Sequence, residues 1–166
     1  MKKLLLPLVF FFIVKISFGQ RPELTVAQID SIVKHTNATC ISGGITDFEI
    51  HNKGGRKKKA AGHGADWFFT DTSGTKLLKA ARETSMAAET MEVFYFYQDS
   101  LIYFTGTYTT YTNGVKSASW TRECYFTGQT IILKQGNPGF PFFPGHVLES
   151  AREFFRGEQI WKRPFR

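Results

Sequence analysis

The chain has 166 residues, a formal net charge of +7, 42% hydrophobic and 16% aromatic residues, and two cysteines. That length suits one compact domain with its own core, so neither a metal nor a disulfide framework is required for folding. A positive charge this modest is not the mark of a dedicated nucleic-acid binder.

Lys2 and Lys3 open the chain, Leu4 to Val14 is almost unbroken apolar sequence, and Ser17 and Gly19 occupy the −3 and −1 positions before Gln20. This anatomy predicts a secretory signal peptide over 1–19 and a single mature domain over 20–166. The apolar run is too short to span a bilayer and Lys15 ends it, so the mature chain is expected to carry no transmembrane segment and to work in the periplasm or as a secreted protein. Loss of Lys2, Lys3 and Lys15 lowers the net charge to +4, enough for weak attraction to anionic surfaces.

Pro22 to Asn37 reads as a helix. Thr25 and Gln28 fit a capping box, and Val26, Ile29, Ile32 and Val33 fall on one face. Cys40 follows directly. An oxidising compartment favours pairing it with Cys124, which would stabilise the fold by about 4–5 kcal/mol in the chain-entropy model. Two buried free thiols are the alternative. Ile45 to Ile50 predicts a strand, and Asn52 to Gly64 a loop or hairpin tip carrying Arg56, Lys57, Lys58 and Lys59 as an anionic-surface contact.

From Trp67 the pattern turns to strands: Trp67–Thr70, Lys76–Arg82, Met91–Tyr97, Leu101–Tyr111, Val115–Phe126 and Ile131–Lys134. Thr84–Glu89 reads as a link. Asn113-Gly114 is a type I′ hairpin signal, because both central residues of that turn need positive φ. Tyr95-Phe96, four residues, Leu101-Ile102 recurs as Tyr125-Phe126, four residues, Ile131-Ile132, so each copy reads as one hairpin. Three prolines between Gly136 and Gly145 forbid regular structure. His146 to Arg156 is an amphipathic helix with Val147, Leu148, Ala151, Phe154 and Phe155 on one stripe, and Gly157 reads as its stop. The expected fold is α+β: one antiparallel meander of about six or seven strands, with both helices packed on the same face.

Side chains alternate across a strand, so the strands sort by face when no bulge intervenes. Phe94, Phe96, Ile102, Phe104, Tyr108, Trp120, Cys124 and Phe126 are assigned to the core under the helices. All six tyrosines lie between 95 and 125. Tyr95, Tyr97, Tyr103, Thr105, Thr121 and Tyr125 belong to the opposite face, expected to meet water. Rigid Tyr with small Ser and Thr suits recognition of a protein or a glycan of the cell envelope. The bland reading of the same face is cross-strand pairing on a solvated sheet.

Chemistry motifs are sparse. His35, His51, His63 and His146 show no metal-ligand spacing, and nothing implies a cofactor. Glu49, Glu92 and Glu123 lie on strands, with nothing in the sequence to pair two across a cleft. His63 and Asp66 could sit near each other in a glycine-rich loop, which gives an alternative function: a small hydrolase of envelope polymers. The Gly54-Gly55-Arg56-Lys57 run lacks the context of a phosphate-binding loop.

The stretch from about Trp67 to Gly136, with Phe18-Gly19 before Gln20, resembles small exported proteins of Gram-negative bacteria built on an aromatic hairpin meander, of unassigned function. Gly106-Thr107-Tyr108, Asn113-Gly114 and Trp120 are faintly similar to variant MORN-type repeats, although regularly spaced Asn-Gly turns are lacking. The resemblance implies the fold and the exported setting, and carries over no functional residue. The expected function is therefore that of an exported, non-catalytic binding module.

Overall fold

A computed structural model describes residues 23–51, 60–137 and 143–161. Its elements run α1 (Val26–Thr39), β1 (Ile41–His51), β2 (Ala60–Thr70), β3 (Leu77–Ser85), β4 (Ala88–Tyr97), β5 (Ser100–Thr112), β6 (Val115–Thr127), β7 (Thr130–Gly136) and α2 (Pro144–Trp161). The seven strands form one open antiparallel sheet in chain order, so the expected α+β meander is the fold observed.

Local sequence explains the punctuation. The Thr25 hydroxyl accepts from the Gln28 amide while the Gln28 side chain accepts from the Thr25 amide, so the capping box starts α1 as expected. Asn113 and Gly114 take φ of 52° and 77°, the left-handed pair that a type I′ turn needs. The β2–β3 turn is tied by Asp71, whose carboxylate accepts from the Thr75 and Lys76 amides at 2.8 and 3.1 Å. Some boundaries differ from expectation. Residues 60–64, read as loop, begin β2; the 84–89 link shrinks to Met86-Ala87 between β3 and β4; and α2 runs through Gly157. Gly157 thus lies within the helix, beside the Phe68 ring, which is 3.6 Å from where a Cβ would lie.

The helices lie on opposite faces of the sheet, which corrects the expectation of one shared face. On one face α2 buries Val147, Ala151 and Phe154 against Phe68, Ala80, Phe94, Phe96, Leu101, Phe104, Cys124 and Phe126. On the other, α1 buries Ile29, with Val26, Ile32 and Val33, against Tyr95, Ile102, Tyr103 and Tyr125. Phe154 meets Phe68 and Phe94 with ring centroids 5.7 and 5.1 Å apart, geometry favourable to aromatic pairs.

A bulge reassigns one residue. Tyr95 pairs with Tyr103 but Phe96 pairs with Leu101, so β5 carries an extra residue and Ile102 turns to the tyrosine side. Strict alternation without a bulge would put Ile102 beside Phe104. The same two-sided cover separates the cysteines. Cys124 is buried on the α2 face, whereas Cys40 caps α1 on the other. Both thiols are free, which corrects the expected disulfide. No helix among the described residues is long and apolar enough to cross a membrane.

Candidate ligand-binding cavity

The tyrosine face has a different role from the one its hydroxyls suggest. Tyr95, Tyr103 and Tyr125 are only 6%, 9% and 7% exposed. They form one cross-strand row, with ring centroids 5.6 Å (Tyr95–Tyr103) and 4.8 Å (Tyr103–Tyr125) apart. Their hydroxyls address α1: Tyr95 donates to Asn37 Oδ1 at 3.1 Å and Tyr125 to Asp30 Oδ1 at 2.9 Å. Burial, then the Asp30 hydrogen bond, pushes the Tyr125 phenol up to about 12. The expected solvated docking face is thus corrected at its centre, where α1 covers it. Thr105 is half-buried, and Tyr97 and Thr121 are exposed at its margins. Arg56, Lys57, Lys58 and Lys59 lie outside the described residues.

The opposite face holds a concavity where α2 begins. Side chains from two cross-strand rows line it: Thr46, Asp66, Arg82 and Glu92 of one, Phe48, Thr84, Thr90 and Tyr108 of the other. Register places Thr46, Asp66, Arg82, Glu92 and Gly106 side by side across β1 to β5. Two residues along each strand, Phe48, Gly64, Thr84, Thr90 and Tyr108 form a parallel row, continued on β6 by Trp120. His146, in the first turn of α2, closes one side. The concavity is open to solvent and has a volume of about 690 Å³. A smaller crevice of about 330 Å³ shares Thr46, Asp66 and Arg82 and extends beneath Phe154 and Glu153.

Rigid strands position each group. Arg82 is held by Asp66 in a two-point ion pair, Nε–Oδ1 2.8 Å and Nη2–Oδ2 2.9 Å, and its Nη1 lies 3.3 Å from Glu153 Oε2. The guanidinium carbon lies 4.9 Å from the Phe154 ring centroid and 5.8 Å from that of Phe48. The Asp66 hydrogen bonds raise the Arg82 pKa against the effect of burial. The Thr84 and Thr90 hydroxyls share a hydrogen bond of 2.6 Å. Tyr108 and Trp120 pair with centroids 5.6 Å apart. Gly64 is fixed by close approach: a Cβ there would lie 2.4 Å from the Phe48 ring, so glycine lets that ring line the cavity.

Glu92 is the cavity's carboxylate left without a hydrogen-bonding partner among the described residues. Its side chain is 12% exposed, and the His146 imidazole comes no nearer than 4.0 Å, Nε2 to Oε1, beyond hydrogen-bond reach. Burial pushes its carboxyl above the usual range, while His146 and then Arg82 draw it back. Arg122, on the same row beyond Gly106, donates through Nη2 to the Asn137 carbonyl at 2.6 Å, while its buried Nε has no partner among the described residues.

Of the residues singled out from sequence chemistry, Asp66, Glu92 and His146 line this cavity. His63 and Asp66 sit three positions apart on β2, not in a loop, so alternation points them to opposite faces and the expected His–carboxylate pairing is corrected. Among the described residues no cluster of His, Cys, Asp and Glu is placed to hold a metal. The gathering of Arg82, Thr84, Thr90 and Tyr108 around one cavity escaped sequence reading. A usable signal existed: on β3 and β4 the apolar face of Ala80 and Phe94 continues into Arg82, Thr84, Glu92 and Thr90, charge and hydroxyls where a core face should run on. Compared with protein-family models, with curated proteins and with solved structures, the chain matches none.

Proposed function

We propose that the chain is an exported, non-catalytic binding module of the bacterial envelope that takes a glycan segment into the cavity between the sheet and the start of α2. The observation that carries this reading is the cavity itself, about 690 Å³, within the range of roughly 300–1,000 Å³ typical of small-ligand sites. It presents acceptors (Glu92, Asp66), hydroxyls (Thr84, Thr90, Tyr108) and a neighbouring aromatic pair, on strands that need no rearrangement. That mixture suits a ring with an apolar face and many hydroxyls. The adjoining crevice favours a ligand longer than one ring. A protein partner would need a broad face of about 800 Å², and α1 covers the tyrosines that could have supplied it. The signal-like segment over 1–19 supports the exported setting.

The test is ligand-detected NMR of the mature chain with oligosaccharides released from a Gram-negative envelope. Thr46→Trp, on the exposed edge strand β1, fills the cavity mouth and should weaken binding at least tenfold. Tyr97→Ser, on the other side of the molecule, should leave it unchanged. Absence of binding, or binding indifferent to Thr46→Trp, overturns the proposal. Release of new reducing ends would replace it with a hydrolase.

A further inference from the structure

We infer that the glycan taken by this cavity carries a free primary amine, as a de-N-acetylated amino sugar does, and that Glu92 is the group that binds its ammonium. The inference rests on the binding reading above and adds the chemistry of the ligand.

Charge decides the occupant. Arg82 is the cavity's fixed cation, and each of its nitrogens is already committed: Nε and Nη2 to Asp66, Nη1 to Glu153. Those bonds use three of its five N–H groups, and two carboxylates already offset its charge, so it offers an anionic ligand little net attraction. Sulfate, phosphate and uronate groups are therefore poor occupants. Against that one cation stand Asp66, Glu92 and Glu153, so the site carries excess negative charge even when His146 is protonated. This acidic spot lies in a chain whose overall net charge is positive.

Within the spot, Glu92 alone lacks a hydrogen-bonding partner among the described residues, since His146 stops 4.0 Å away. A mostly buried carboxylate with unmet acceptor capacity gains most from a charged donor. An ammonium group supplies it, and the Tyr108 and Trp120 rings nearby offer faces that attract a cation or pack on a sugar. An N-acetylated sugar brings a neutral amide to the same position and leaves the carboxylate's charge unmatched.

The experiment compares a glucosamine tetrasaccharide with its fully N-acetylated counterpart by isothermal titration of the mature chain near neutral pH, then repeats both with Glu92→Gln. The expected result is at least tenfold tighter binding of the free-amine form by the native chain. Glu92→Gln should bring the two affinities together. The native-chain comparison stands alone if the variant fails to fold, which a melting curve reports. Equal binding of both forms, or tighter binding of the N-acetylated one, overturns the amine inference and leaves the cavity reading intact. A preference that survives in folded Glu92→Gln removes Glu92 from the role. Binding of neither form overturns the inference; the envelope-oligosaccharide titration then decides the broader reading separately.

Discussion

Tyr125 separates a covered tyrosine row from a solvated one. Its ring is 7% exposed and meets Tyr103 at 4.8 Å, and its hydroxyl reaches Asp30 on α1 at 2.9 Å. Tyr125→Phe keeps the ring and removes one hydrogen bond to a carboxylate. Such bonds contribute about 1.5–3 kcal/mol, and because Asp30 is exposed and regains water, the lower figure, about 1.5 kcal/mol, applies. Tyr125→Ala removes the ring too, and loss of a buried aromatic costs about 3–5 kcal/mol. The two variants should therefore differ by about 1.5–3.5 kcal/mol, the share of the ring's packing under α1. Urea denaturation followed by far-ultraviolet circular dichroism gives both values from midpoints at a common slope. If Tyr125→Ala cost under about 1 kcal/mol, far below the usual loss for a buried ring, α1 would not cover this face and the two-sided packing would be wrong.

Glu92→Gln should stabilise the protein at neutral pH. Asp66, Arg82 and His146 face Glu92, yet burial dominates and raises its carboxyl above the ordinary value of 4.5. The folded state therefore holds this proton more tightly than the unfolded state does. Stability from that linkage is full below pH 4.5 and fades as pH rises through the folded value, so variant and native melting temperatures should converge at acid pH and separate toward neutrality. Gly64→Ala would place a methyl 2.4 Å from the Phe48 ring and 2.7 Å from the Glu83 carbonyl; overpacking of this kind costs about 1–3 kcal/mol, read by thermal melting, with loss of glycan binding. Both thiols should react with iodoacetamide in urea without reductant. In the native protein Cys40 should react first, because burial pushes Cys124 up to about 11; a mass two protons light and inert to alkylation would contradict this.

The meander was legible because period-2 patterning and turn chemistry agree along it. Asn113-Gly114 and the Thr25–Gln28 box act locally, so each could be read without knowing the fold. The side on which α1 packs was not legible. Tyr95, Tyr103 and Tyr125 look wet by composition, yet a tyrosine buries its ring while its hydroxyl finds a polar partner, here Asn37 and Asp30 across a helix distant in sequence. That misreading carried the docking face and the disulfide with it, since both assumed α1 and Cys124 on one side. The bulge at Ile102 was invisible for a different reason: one extra residue in a strand leaves no compositional trace and reverses the face of its neighbours. The cavity depends on register between strands, which brings Glu92 of β4 beside Arg82 of β3, and no spacing along the chain encodes that neighbourhood.

The proposed ligand site lies on the α2 side of the sheet and not on the tyrosine side. Amide shift mapping of isotope-labelled residues 20–166, titrated with the glucosamine tetrasaccharide, distinguishes the two sides. Changes should concentrate at Thr90 to Glu92, Gly106 to Tyr108 and the His146 turn. Changes centred instead on α1, Tyr97 and Thr121, or none anywhere, would contradict it.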